Sequence, residues 1–273
     1  MSRFPILLAA AATLIAAPLA AQPASPSRLT YADLVQLSDN APLVVRAKVV
    51  RQVALKPERA PGVAPGHARL YIEGETLALL SGNAPLGQAI EYLVDVPLDA
   101  KGKVPRLKKT EVLLFARAVP GSPRMLQLVG DHAQQPYTAA LEARLRPVLS
   151  ALVAPDAPPA VTRVADALAV EGTLVGESET QLFLDTKNDG PVSISVIRRP
   201  NQPVRWGVSW SEIVDQSARP VQKDTLAWYR LACSLPAQLP AEANPSRDPA
   251  ARALAARDYA HVIEQLGPCE RTL

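Results

Sequence analysis

The chain has 273 residues, 48% of them hydrophobic and 20% charged, enough apolar material for one or two packed domains and too much for a wholly disordered chain. Its 27 prolines are twice the usual share of about 5%, but with the 13 glycines they stay below the roughly 25–30% of low-complexity chains, so they punctuate a fold. A net charge of +3 with three Trp, six Tyr and three Phe lacks the basic excess and interleaved rings of a nucleic-acid binder, and no nucleic-acid partner is expected.

Met1-Ser2-Arg3 leads into Ile6 to Leu19, apolar except for Thr13 and ending in small residues, the pattern of a secretory leader. Residues 1–21 are expected to be removed after Ala21, which makes the protein periplasmic or secreted. An uncleaved anchor is the alternative, but the apolar stretch is shorter than the roughly 20 residues that span a bilayer. No later segment is long and apolar enough to be transmembrane, and no cysteine follows the leader for lipid attachment. An oxidising compartment would pair the two cysteines, Cys233 and Cys269, in a disulfide.

Thr30 to Leu37 reads as a short helix with Thr30 as N-cap and Asp33 in the capping-box position. Leu43 to Leu55 then alternates with period two, Val45, Ala47 and Val49 against Arg46 and Lys48. After a Pro- and Gly-marked loop from Pro57 to Gly66, four more strands are predicted at Arg69–Leu80, Ala89–Val96, Glu111–Val119 and Arg124–Val129. Five strands in this short a span predict a small closed barrel of OB type, because closure removes exposed edges; a three-against-two sandwich is the alternative. A helix from Thr138 to Leu152, kinked at Pro147, completes a first domain over residues 22–153.

Residues 154–160, Ala-Pro-Asp-Ala-Pro-Pro-Ala, read as a semi-rigid linker. The second domain, residues 161–273, is predicted as a four-stranded meander at Ala167–Val175, Thr180–Thr186, Pro191–Arg198 and Arg205–Val214. Turn signals stand at Gly176, Asn188-Asp189-Gly190 and Asn201. Asp224 is expected to cap a helix from Thr225 to Leu235, whose apolar run also suits a buried strand. Ser246 or Asp248 caps the last helix, which has Pro249 at its first position and stops at Gly267-Pro268. The whole is mainly β with peripheral α: a five-stranded OB-like barrel followed by a four-stranded antiparallel α+β domain. The charge is uneven, with 16 Lys and Arg against 11 Asp and Glu in residues 22–153, and 12 against 15 in residues 154–273, so the halves should attract.

In Leu43-Val44-Val45-Arg46-Ala47-Lys48-Val49, in the strand end Leu79-Leu80-Ser81-Gly82 and in Glu111-Val112-Leu113-Leu114-Phe115, the first domain resembles the OB-like modules of secreted proteins of the netrin and metalloprotease-inhibitor type. Those inhibitors act through an N-terminal cysteine and a disulfide framework; this domain has no cysteine, so inhibition is not implied. In Trp206-Gly207-Val208-Ser209-Trp210 and Trp228-Tyr229-Arg230-Leu231-Ala232-Cys233-Ser234-Leu235-Pro236 the second domain is similar to secreted proteins of alphaproteobacteria, a likeness that supplies no activity.

The sequence contains no G-x-S-x-G elbow, H-E-x-x-H, C-x-x-C, P-loop or Rossmann glycine pattern, which removes the common hydrolase and nucleotide-binding classes. His67, His132 and His261 are scattered, and Asp185 to Gly190 departs from a calcium loop at Lys187 and Val196. Neither a metal nor a cofactor is expected. Two binding candidates stand out. Lys101, Lys103, Arg106, Lys108 and Lys109 crowd one loop and suit an anionic partner, whether lipid headgroups, an envelope protein or polymer, or the acidic second domain; the alternative is a solvated hairpin that keeps a sheet edge soluble. Trp206 and Trp210 share a strand face beside Arg198, Arg199 and Arg205, either as core or as a partner surface. The expectation is a non-catalytic binding or scaffolding protein of the cell envelope. The alternatives are an envelope hydrolase using dispersed residues and a small-ligand carrier using the barrel interior.

Overall fold

A computed structural model describes residues 29–211 and 219–273; the expected leader lies outside the described residues. Helix α1 (Tyr31–Asp39) opens the fold with the expected capping box, Thr30 Oγ1 accepting from Asp33 N at 3.1 Å and Asp33 Oδ2 accepting from Thr30 N at 2.8 Å. Strands β1 (Leu43–Ala54), β2 (His67–Ser81), β3 (Ala89–Pro97), β4 (Glu111–Val119) and β5 (Ser122–Leu128) follow, then a three-residue strand β6 (Gln134–Pro136) and helix α2 (Ala139–Leu152). Thr138 caps α2, which continues through Pro147.

The sheet order β1-β2-β3-β5-β4-β6, with β1 also paired to β4, makes a closed five-stranded barrel. Every pairing is antiparallel except β3 with β5. Val45, Ala47, Val49, Ile72, Ile90, Tyr92 and Leu114 fill its axis, so the barrel interior is occupied by side chains. Gly82, at φ +107°, lies where the chain crosses Pro42; a Cβ there would meet the Pro42 carbonyl oxygen at 2.4 Å, which only glycine avoids.

Two strands of the barrel are buried on both faces. Val112, Leu114 and Ala116 of β4 point into the barrel, while Leu113 and Phe115, both fully buried, point outward into a second core. This is the burial that a continuous apolar run signals. Val44 of β1 joins them, as do residues of α1 and α2 and one face of the second sheet.

That sheet is an antiparallel meander of β7 (Val161–Glu171), β8 (Ser178–Thr186), β9 (Val192–Arg198) and β10 (Arg205–Ser209), in the order β10-β9-β8-β7. Strand β7 starts six residues earlier than Ala167 because register shifts at Val161/Arg163 and Val164/Asp166 break its period. It ends at Glu171, and the apolar Leu174 and Val175 lie in the loop, Val175 fully exposed. The expected extension of β10 to Val214 falls partly on residues outside the described set. Gly176, Asp189 and Asn201 all take positive φ at the predicted turns.

Helices α3 (Leu226–Ala232) and α4 (Pro249–Leu266) complete the second core. Thr225, not Asp224, caps α3: its side chain accepts from Trp228 N, while Asp224 takes φ 57° in the turn before it. Asp248 caps α4, with Pro249 at its first position and Gly267 at its end. Cys233 at the end of α3 is bonded to Cys269, and Trp228 Nε1 donates to Leu266 O at 2.8 Å. Residues 154–160 are packed rather than solvated: Ala157 lies against the second core, and Pro158 O accepts from Arg230 Nε. Among the described residues no helix is long and apolar enough to cross a membrane.

Two buried carboxylates hold this arrangement. Asp33, fully buried, accepts from Thr272 N at 3.0 Å and Thr272 Oγ1 at 2.7 Å in addition to Thr30 N. Burial by itself would raise its pKa, but the hydrogen bonds from Thr272 and Thr30 outweigh it and hold the carboxyl below its usual range. Asp258 of α4, also fully buried, accepts from Arg198 Nε and Thr180 Oγ1, both at 2.6 Å.

Thr272→Val should lower the unfolding free energy by about 1.5–3 kcal/mol, the range for a hydrogen bond to a charged group. A carboxyl with a depressed folded pKa contributes stability that is fully present above its unfolded value and is lost as pH falls through the folded one. Urea titrations should therefore show a gap between the native chain and Asp33→Asn at neutral pH that narrows below about pH 3.9. Asp258→Ala, which strands Arg198, should destabilise by about 3 kcal/mol in the same assay.

Candidate functional site

The loop between β3 and β4, residues 98–110, alternates residues that close the barrel with residues that face water. Val104 and Leu107 pack against the barrel core, while Lys101, Lys103, Arg106, Lys108 and Lys109 are all exposed. This is why so many cations fit into so short a segment: two apolar side chains anchor it, and the charges keep full solvation.

Side chains from outside the basic run hold its backbone. Asp99 Oδ1 accepts from Lys101 N and Lys103 N at 2.8 Å each, closing a turn in which Gly102 takes φ 71°. Gln52 reaches across from β1, its Oε1 accepting from Leu107 N at 2.6 Å and Lys108 N at 3.1 Å while its Nε2 donates to Pro105 O at 3.0 Å. The Lys109 amide donates to Val49 O, with Lys109 at φ 74°. No ion pair joins any of the five cations to another described residue. The result is a backbone tied by hydrogen bonds that carries exposed cations without ion-pair partners among the described residues.

The loop between β1 and β2 lies at the same end of the barrel, tied to the end of β3 by Leu98 N donating to Gly66 O at 2.8 Å. It adds exposed Lys56 and Arg59, opposed by Glu58. Sequence reading placed this second loop but did not assign it or Gln52 to the site; the signal for the loop was its own pair of cations, but nothing local marks a glutamine in a strand as the clasp of a distant segment.

The tryptophan and arginine set does not form one surface. Trp206 is 6% exposed and belongs to the second core with Val208, so of the two alternatives left open for it the core reading holds and the partner-surface reading does not. Trp210 is half-buried against the same core. Arg198 is committed to Asp258, and Arg199 pairs with Glu177 at 2.8 Å. Arg205 stays exposed, on a cleft of about 660 Å³ that it shares with the edge of Trp206, Arg219 and His261. His132 is exposed, with its carbonyl taken by Gln135 Nε2. Among the described residues no group of three or more His, Cys, Asp or Glu is placed to hold a metal ion. The Asp185 to Gly190 segment is a hairpin turn closed by Thr186 Oγ1 donating to Gly190 O.

Gln52→Ala should free the clasp without opening the barrel. Amide hydrogen exchange should speed up at Leu107 and Lys108 and stay slow at Ile72 and Leu114. Compared with known proteins, the chain matches no family model and no curated protein.

Proposed function

We propose that the chain is an exported, non-catalytic binding protein of the cell envelope that holds an anionic polymer against the basic end of its barrel. One observation carries the reading: five exposed cations without partners among the described residues sit on a loop whose backbone is already tied by Asp99 and Gln52. Tying the backbone in advance lowers the ordering entropy that binding otherwise loses. Clustered charge without internal partners raises the local potential and the rate of encounter with an anion. The Cys233–Cys269 bond supports an oxidising compartment, and the leader-like first 21 residues support export into a periplasm.

Two carboxylates with lowered pKa values are matched within the fold. Asp95 is held below its usual range by the hydrogen bond from Arg69, and Glu142 by the one from Arg146. These are structural pairs rather than groups waiting for a substrate.

The test is a titration with dextran sulfate, with uncharged dextran as control, at about 0.1 M and about 1 M salt, where the screening length falls from roughly 10 to 3 Å. The sulfated polymer should bind at low salt and be released at high salt. A variant carrying Lys101→Glu, Lys103→Glu, Arg106→Glu, Lys108→Glu and Lys109→Asn should lose binding with an unchanged melting temperature. Asn is chosen at position 109 because it tolerates positive φ. Equal binding by this variant, or none by the native chain at low salt, would overturn the proposal.

A further inference from the structure

The barrel closes weakly at one place. Strands β3 and β5 run parallel and pair at only two positions, Glu91 with Met125 and Tyr92 with Leu126. Beyond them β3 stays paired to β2 through Pro97, and β5 stays paired to β4 through Leu128. Each strand therefore keeps a partner on its far side and turns an unpaired backbone edge toward the gap between them. Such an edge is a template for another strand.

A cleft of about 400 Å³ opens at this parting, within the range of built ligand sites. Tyr92, Val94, Leu126 and Leu128 line it from the barrel core side, and Leu93 and Met125, 46% and 43% exposed, stand on the outward side. Large apolar side chains this exposed, grouped around one cleft, mark an interaction surface more than chance exposure does.

Most of the polar groups around the cleft are already matched to one another. Arg69 lies against both oxygens of Asp95 at 2.7 and 2.8 Å. Tyr71 donates to Glu91 at 2.7 Å, and the other oxygen of Glu91 pairs with Arg124 at 2.6 Å. Tyr92 donates to Gln134 at 2.7 Å. Asp131 is the exception: it is exposed on the rim and makes no hydrogen bond or ion pair with a described residue, and the charge of nearby Arg69 is taken up by Asp95.

We infer that the cleft between β3 and β5 is a docking slot for an extended peptide, which adds as a strand along the free edge of β3. Its backbone supplies the hydrogen bonds that the parted strands lack, and alternate apolar side chains lie on the floor of Val94 and Leu126. A Lys or Arg of the peptide meets the carboxylate of Asp131. This is strand addition, in which main-chain bonds give affinity and pockets for alternate side chains give specificity. The site lies on the barrel wall next to the basic end, with Arg69 of its lining also donating to Pro61 O of the β1–β2 loop at 3.3 Å, but it uses none of the five loop cations and prefers the opposite charge, so the inference does not rest on the polymer-binding reading.

The test uses the disulfide-bonded, nitrogen-15-labelled chain and a library of blocked hexapeptides with Val, Leu or Ile at alternate positions and Lys or Glu at one end. Peptides ending in Lys should produce saturable shifts at the amides of Leu93 to Val96 and of Gln127 and Leu128. Methylating alternate peptide nitrogens should weaken binding on the order of tenfold, since it removes main-chain donors. Leu93→Lys combined with Met125→Lys, both at exposed positions, should abolish the shifts without lowering the melting temperature. Asp131→Asn should erase the preference for Lys over Glu. Shifts absent from these amides across the library, or methylated peptides that bind as well as the parents, would overturn the inference.

Discussion

The outer faces of β1 and β4 must leave water, and most of the architecture follows from that constraint. Val44, Leu113 and Phe115 point away from a barrel that is already filled. Fully burying an apolar side chain of this size is worth roughly 1.5–3 kcal/mol, so leaving all three exposed would offset much of what a small barrel gains from its own core. They share one buried cluster with α1 and α2, and α3 and α4 continue that cluster to the face of the second sheet. The two sheets are therefore separate in hydrogen bonding but continuous in packing, and residues 154–160 pass between them as a packed strap. One side of the barrel is thus used up by folding, which leaves its β3–β5 side and its loop ends for recognition.

The charges follow the same division. Along the outer rows of the barrel, acids and arginines face each other across strands: Arg51 with Glu73, Arg69 with Asp95, Arg124 with Glu91 and Arg46 with Glu111. Arg46 also lies 3.8 Å over the Tyr137 ring. Exposed pairs of this kind contribute little stability each, but they neutralise the barrel wall. The excess of Lys and Arg in the first 153 residues is consequently concentrated at one end, in the loops at residues 55–66 and 98–110. The one ion pair between the halves among the described residues runs against that imbalance: Arg230 of the acidic second half binds both oxygens of Asp39 of the basic first half at 2.6 and 2.9 Å.

Where a residue's role is set by its immediate neighbours, the sequence was legible. Thr30 and Asp33 form their capping box, β4 runs from Glu111 to Val119 as its apolar run predicts, and Pro249 and Gly267 bracket α4. The basic loop was readable as charge, because five cations in one segment need no structure to be noticed. Legibility failed where pairing or long-range packing decides. The first half of β7 was hidden by two register shifts, and Leu174 and Val175 read as strand because hydrophobicity does not say which residues a turn will expose. Trp206 and Trp210 share a face by spacing, but spacing cannot say what covers it. The cleft between β3 and β5 was invisible for a related reason: the number of paired residues between two parallel strands is a property of register, which neither strand encodes alone.

The C-terminal segment ties these parts together. Cys269 is fixed to the end of α3 by the disulfide, and the few residues after it carry Thr272 to the buried carboxylate of Asp33 and the Glu270 carbonyl to Thr30 Oγ1 at 2.9 Å. A covalent bond in the second domain therefore completes the hydrogen bonding of the first helix of the chain. In the chain-entropy account, closing a loop of this length is worth roughly 3–4 kcal/mol, but that figure omits the consequence of losing the tether. If the segment detached, Asp33 would lose the Thr272 bonds that offset its burial and keep only those within its capping box. The disulfide and the Asp33 latch thus stabilise each other, and together they hold the C-terminal segment against α1.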